Sequence, residues 1–304
     1  MSSAVKANQP QAAQLHVLPP EVRPGQSVAL LQELHILTRD GKLNQDSRRK
    51  LKQVYHLYQF IEPLLNELRA DHPNVSLVDH GAGKSYLGFI LYDLFFKGLK
   101  AEEKQGARIY GIETREELVQ KSTELAKKLG FDEGMSFLPL SVAESTTSTL
   151  LPAQVDIVTA LHACNTATDD AIDFALKKRA KFMVLVPCCQ AEIASVLKKN
   201  KGRDLGKSAL TEIWRHPIHT REFGSQITNV LRCLQLEAHG YQVNVTELVG
   251  WEHSMKNELI IATYKDLPRK RPTERLQEVL STLGLEEMGQ RFYTSQLEHA
   301  GANT

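Results

Sequence analysis

The apolar positions change period repeatedly along the chain, and each change marks an element. Leu51, Val54, Tyr55, Tyr58, Ile61, Leu65 and Leu68 recur at helical spacing and predict one long amphipathic helix starting near Ser47. Pro73-Asn74 ends that pattern. Val75, Leu77 and Val78 then predict a buried strand that runs into Asp79. A glycine turn, His80-Gly81-Ala82-Gly83, leads to a second amphipathic run carrying Leu87, Ile90, Leu91, Leu94 and Phe95. The same alternation continues downstream. Strands are predicted at Arg108–Ile112, Met135–Leu140, Val155–Leu161 and Lys181–Val186, and helices at Arg115–Leu129, Ala191–Lys201 and Glu222–His239. Gln242–Val249 and Glu258–Tyr264 alternate as a closing pair of strands. Strands interleaved with helices predict an α/β fold, a doubly wound sheet that is mostly parallel.

The flanks read differently. Residues 1 to about 25 are rich in Gln, Ala, Ser and Pro and predict a flexible arm. A short helical candidate follows at Ser27–Leu37. The expected division is therefore an arm with a short helix at 1–44, one large domain at 45–265, and a helical tail at 266–304. Leu276, Val279, Leu280 and Leu283 give the tail one apolar stripe, expected on the surface or against a partner.

Composition narrows the setting. The chain has 304 residues, 42% apolar and 24% charged, near the globular average. Its net charge of +1 selects no partner, so any nucleic-acid contact has to come from local clustering. Four cysteines, two of them adjacent, make no disulfide framework and fit a reducing compartment. No membrane span and no secretory signal are legible, which predicts a cytoplasmic protein.

The glycine turn is the first candidate for chemistry. Glycines there permit a sharp bend and close approach of a ligand. Gly83-Lys84-Ser85 looks like the end of a phosphate-binding loop, but that motif needs a glycine where Val78 stands. The dinucleotide fingerprint fails as well, because Tyr86 occupies its third glycine position. Asp79 at the strand end repels phosphate and suits a cation. Glu113 ends the second strand, where a carboxylate partners a ribose diol, and lies 34 positions after Asp79. An ordinary strand-to-helix turn is the alternative.

Asp79-x-Gly81-x-Gly83 followed by Glu113 resembles the class I S-adenosylmethionine (SAM) methyltransferases. The resemblance implies a Rossmann-like seven-stranded sheet with an antiparallel last strand, a helical N-terminal cap, and SAM as cofactor. It also implies cofactor-binding roles for Asp79, Gly81, Gly83 and Glu113, for Val142 beside the adenine, and for His162. Two later motifs are more specific. LHACNTATDDAI follows strand four and VPCC follows strand five. Together they resemble the methyltransferase domain 32 branch, which includes the acceptor-stem tRNA ribose 2′-O-methyltransferase and a domain fused to glutathione-transferase-like modules. Arg49, Lys50 and Gln53 are similar to that branch's basic helix. Asn165 departs from its usual glycine or aspartate, and the tRNA enzyme's zinc-finger cysteines are not seen.

These motifs make His162, Pro187 and Cys188 the candidate catalytic residues, at strand ends that open toward the reaction centre. His162 and His219 are the imidazoles available as bases. His162, Cys164, Cys188 and Cys189 are four conceivable metal ligands, but adjacent cysteines fit tetrahedral geometry poorly, so no metal is expected. A covalent role for Cys188 is a weaker alternative to packing. Residues 190–221 form an expected basic lid. Within 198–232, eight Lys/Arg outnumber three acids, with Trp214, His216 and His219 interleaved. This makes RNA the expected acceptor, and a catalytically silent SAM-fold binding module is the alternative function.

Overall fold

The structure, a computed structural model, describes residues 18–100, 106–161, 166–187, 190–199, 209–248, 258–266 and 271–292. The predicted apolar runs pair into one sheet. β1 (Ser76–His80), β2 (Arg108–Ile112), β3 (Met135–Leu138), β4 (Ile157–Leu161) and β5 (Phe182–Val186) lie parallel. β6 (Tyr241–Glu247) pairs with β7 (Glu258–Tyr264), which also runs antiparallel to β5. The order is β3-β2-β1-β4-β5-β7-β6. This is the Rossmann-like doubly wound sheet that the sequence predicts. The chain leaves β1 toward one edge and returns at β4 toward the other, so a crevice opens at the carboxyl ends of these two strands.

Helices cover both faces. α1 (Val28–Glu33), α2 (Gln45–Asp71), α3 (Tyr86–Leu94) and α4 (Glu116–Leu129) precede β3, and α5 (Val142–Thr147) follows it. α6 (Ala167–Lys177) follows β4, and α7 (Glu192–Lys199) and α8 (Pro217–Ala238) separate β5 from β6. α9 (Pro272–Thr282) and α10 (Gly289–Phe292) close the described chain. Leu77, Ile109 and Ile157 face α2 and α3 on one side, while Val78, Val158 and Met183 face α6 on the other. That is the two-residue period of a strand buried on both faces. α2 starts where Asn44 accepts a hydrogen bond from the Ser47 N–H, and α4 stops where Gly130 turns left-handed.

Three expectations change here. α8 begins five residues before the predicted Glu222, because Pro217 occupies its first position, where a missing N–H costs nothing. In the described part of the tail the apolar stripe is covered by the chain itself, while Glu274, Arg275, Gln277 and Glu278 of α9 stay exposed. Leu276, Leu280, Leu285 and Phe292 pack with Val196 and Leu197 of α7 and Leu231 and Leu234 of α8 as a third apolar cluster. The described parts of the expected lid, α7 and the 3-10 turn Ala209–Arg215, join the same cluster, with Trp214 buried edge-on to Phe223. Residues 200–208 of that segment lie outside the described residues.

Candidate active site

The turn after β1 is held by its own backbone. The Ala82 N–H donates to the Ile112 carbonyl at 2.9 Å, and the Ser85 N–H to the Ala82 carbonyl at 2.7 Å. Gly81 and Gly83 adopt φ of 69° and 57°, which side chains resist. A Cβ at Gly81 would meet nothing within 4 Å, so the bend presents bare backbone to open space.

Asp79 ends up buried, with 2% of its surface exposed. Thr159 Oγ1, across the β1–β4 pair, donates to its Oδ1 at 2.9 Å. Burial pushes the Asp79 carboxyl up to about 7, outweighing the opposing pull of that hydrogen bond. Beside it lies a cavity of about 230 Å³. α2 contributes Lys50, Gln53 and Val54 to its wall, and α3 contributes Tyr86 and Leu87. Ile36, Ala82 and Leu161 complete the lining.

Glu113 lies directly after β2 and across the turn from Gly83. Its carboxylate is already engaged. Oε2 accepts from the Gly83 N–H at 2.9 Å and from Arg115 Nη2 at 3.0 Å. Oε1 accepts from Arg115 Nε at 3.0 Å and from the Arg115 N–H at 3.1 Å. The Arg115 guanidinium holds the carboxyl down to about 2 despite its burial. Arg115 itself is exposed and caps the start of α4. The sequence reading did not anticipate this residue, although an arginine two positions after the acid is the available signal.

The other candidates are placed unevenly. Val142 is the first residue of α5, inside the Ser141–Glu144 capping box. Pro187 is buried at the end of β5. His162, Cys164, Cys188 and Cys189 lie outside the described residues, while Cys233 is half-buried on α8. His219 is exposed, its ring 5.3 Å from that of His216. His80 was not singled out. It is buried against Phe174, and burial pushes its imidazole down to about 4, so it is neutral at neutral pH.

Asp169, within the first late motif, and Gln190, just after the second, meet through α8. Arg232, fully buried, donates from Nε to Asp169 Oδ1 at 2.6 Å and from Nη2 to Oδ2 at 2.9 Å. Arg291 Nε reaches Asp169 Oδ2 at 2.7 Å and its Nη1 pairs with Glu192. One turn before Arg232, Asn229 Oδ1 accepts from Gln190 Nε2 at 2.7 Å, and Asn229 Nδ2 donates to Glu258 at 2.6 Å. Thr166 is the cap residue of α6, Thr168 is buried inside it, and Asp169, in its first turn, pairs with both arginines. Arg232, counted in the basic segment, is therefore unavailable to an external anion.

Residues 49–196 match the model of a family described as a methyltransferase domain. Over this stretch the chain is similar to a methyltransferase domain. A glutathione S-transferase C-terminal domain-containing protein of Bos taurus is 25% identical over 240 residues, covering 73% of this chain and 34% of the relative. Its Xenopus laevis counterpart is 24% identical and covers 74% and 36%. The chain thus spans about a third of the length of the curated relatives it matches. The magnesium protoporphyrin IX methyltransferase of Synechocystis PCC 6803, solved with bound SAH, aligns at a TM-score of 0.43 and 16% identity, covering 79% of this chain and 96% of that one. Likeness at that level carries no argument about this chain. Among the described residues no helix is long and apolar enough to cross a membrane, and no cluster of metal-ligating side chains occurs.

The cofactor of such a domain is SAM. The methyltransferase domain's residues fit it. A buried carboxylate without a cation partner, Asp79, faces a cavity beside bare glycine backbone, which suits an ammonium and a close-lying chain. Glu113 already accepts from Gly83 and Arg115, so a ribose hydroxyl there would have to displace or share one of these donors.

Proposed function

We propose that the protein transfers the methyl group of SAM to an RNA acceptor. The observation that carries this reading is the placement of the cavity, with buried Asp79 at its base and the cationic first turns of α2 beside it. SAM supplies an electrophilic methyl on a sulfonium. Asp79 takes up the ammonium, and the glycine turn lets the backbone lie close to the bound cofactor. Val54, Leu87 and Leu161 keep water from that end of the pocket. A neutral hydroxyl acceptor needs a base, and His162 is the residue we assign to it by the motif it belongs to. Arg48 and Arg49 hold only exposed ion pairs, with Glu21 at 3.0 Å and Asp46 at 4.0 Å. Such pairs are weak and exchange readily for phosphate.

A second reading is a silent SAM-fold binding module. The saturation of Glu113 by Arg115 and Gly83 favours it, because a ribose then competes with the chain's own donors. Incubation with tritiated SAM and cell extract separates the two. We expect label in a fraction that RNase removes and protease does not. Label lost only to protease moves the acceptor to protein, and SAM binding without any label selects the silent module.

A further inference from the structure

We infer that Lys50 binds the α-carboxylate of the cofactor, so that Lys50 and Asp79 grip the two ends of one amino-acid zwitterion. This rests on the cofactor assignment above and extends it to α2, an element outside the strand-and-turn motif. Both residues line the same cavity from different walls. They are not each other's partners: the Asp79 side chain accepts from Thr159, and Lys50 forms no ion pair among the described residues. Its neighbours Arg48 and Arg49 point instead at Glu21 and Asp46. Lys50, Gln53 and Val54 follow the three-and-four spacing that puts them on one face of α2, the face turned to the cavity.

The charge pattern selects the ligand class. The rest of the lining is largely apolar, with Ile36, Val54, Leu87 and Leu161. In such surroundings an unmatched charge is costly and a matched one is strengthened. A phosphate would satisfy Lys50 and be repelled by Asp79. A simple amine would satisfy Asp79 and be repelled by Lys50. An α-amino acid carries both charges on one carbon and satisfies both walls.

Calorimetric titration with three ligands tests this: SAM, S-adenosylhomocysteine, and decarboxylated SAM, which keeps the ammonium and lacks the carboxylate. We expect Lys50→Gln to weaken the first two by about 10- to 100-fold, the value of one charged hydrogen bond. Decarboxylated SAM, which Lys50 only repels, should bind Lys50→Gln at least as tightly as wild type, and Lys50→Arg should restore most of the loss for the other two ligands. Lys50 is exposed, so an unchanged thermal melt confirms that the variant is folded. Equal weakening of all three ligands, or of none, overturns the lysine's role. Unchanged SAM affinity with weakened RNA retention assigns Lys50 to the acceptor instead. Failure of wild-type protein to bind SAM at all overturns the cofactor assignment itself.

Discussion

Asp79 carries a folded-state cost. Its carboxyl rises from 3.8 to about 7 on burial, so between those values the folded chain holds a proton that the unfolded chain releases. Stability contributed by this group therefore falls as pH rises through that window, and the full penalty applies above 7. Asp79→Asn should match wild type near pH 4 and be more stable at pH 8, by about 2–4 kcal/mol, in chemical denaturation. The same substitution should weaken SAM, because only an ionised carboxylate attracts the ammonium. Wild-type affinity should rise from pH 6 to pH 8 and level off, while Asp79→Asn stays flat and weak. A variant as pH-dependent as wild type would remove Asp79 from the cofactor's ammonium. Glu113 cannot produce that profile, since Arg115 holds it near 2 and it remains ionised throughout the range.

At the scale of elements, the parts read best from sequence were those whose pattern is local. The runs at β4 and β5 are short and nearly all apolar, and Gly130 ends α4 by its own conformation. The glycine turn was legible because two positive-φ positions need glycine. What sequence could not supply was the partner across a long separation. The stripe Leu276–Leu280 was visible, but not that α7 and α8 cover it. Arg232 looked like one of eight surface cations until its partner Asp169, 63 positions away, was in view. Lys50 read only as one cation of a basic helix, because nothing local to α2 places Asp79 on the wall of the same cavity. The α7–α8–tail assembly yields a graded prediction. Asp169→Ala leaves the buried Arg232 guanidinium short of its carboxylate and should cost about 3–5 kcal/mol. Arg291→Gln should cost about 1 kcal/mol, because Arg232 still serves Asp169. Denaturant midpoints that rank these two the other way would show that the tail, not α8, carries the network.

At the scale of the whole molecule, near-zero net charge means that the proposed RNA contact would have to rest on a few exposed positions rather than on a field. Exposed cations include Arg48, Arg49, Lys50 and Lys52 on α2 and Lys198 and Lys199 at the end of α7. Affinity for single-stranded RNA should fall with salt at a log–log slope of about −0.7 per phosphate contact. Changing Lys198 and Lys199 together to Ala should flatten that slope by roughly 1–1.5, measured by filter retention across a salt series. No salt-sensitive retention by wild type would turn the search toward protein or small-molecule acceptors.

The pairing of Arg291 with Asp169 spans 122 positions, and it has a consequence for how the chain reaches this state. Closing a loop of that length costs about 4 kcal/mol of chain entropy before the contact repays any of it. Contacts this distant form late, after the β1–β2 and β4–β5 neighbours have condensed. A polypeptide interrupted before α9 therefore has every strand of the sheet and still lacks its seal. Leu231, Leu234 and Val196 remain uncovered on it, an oily flank on an otherwise finished body. Such fragments should stick to one another and to chaperones rather than persist as free monomers.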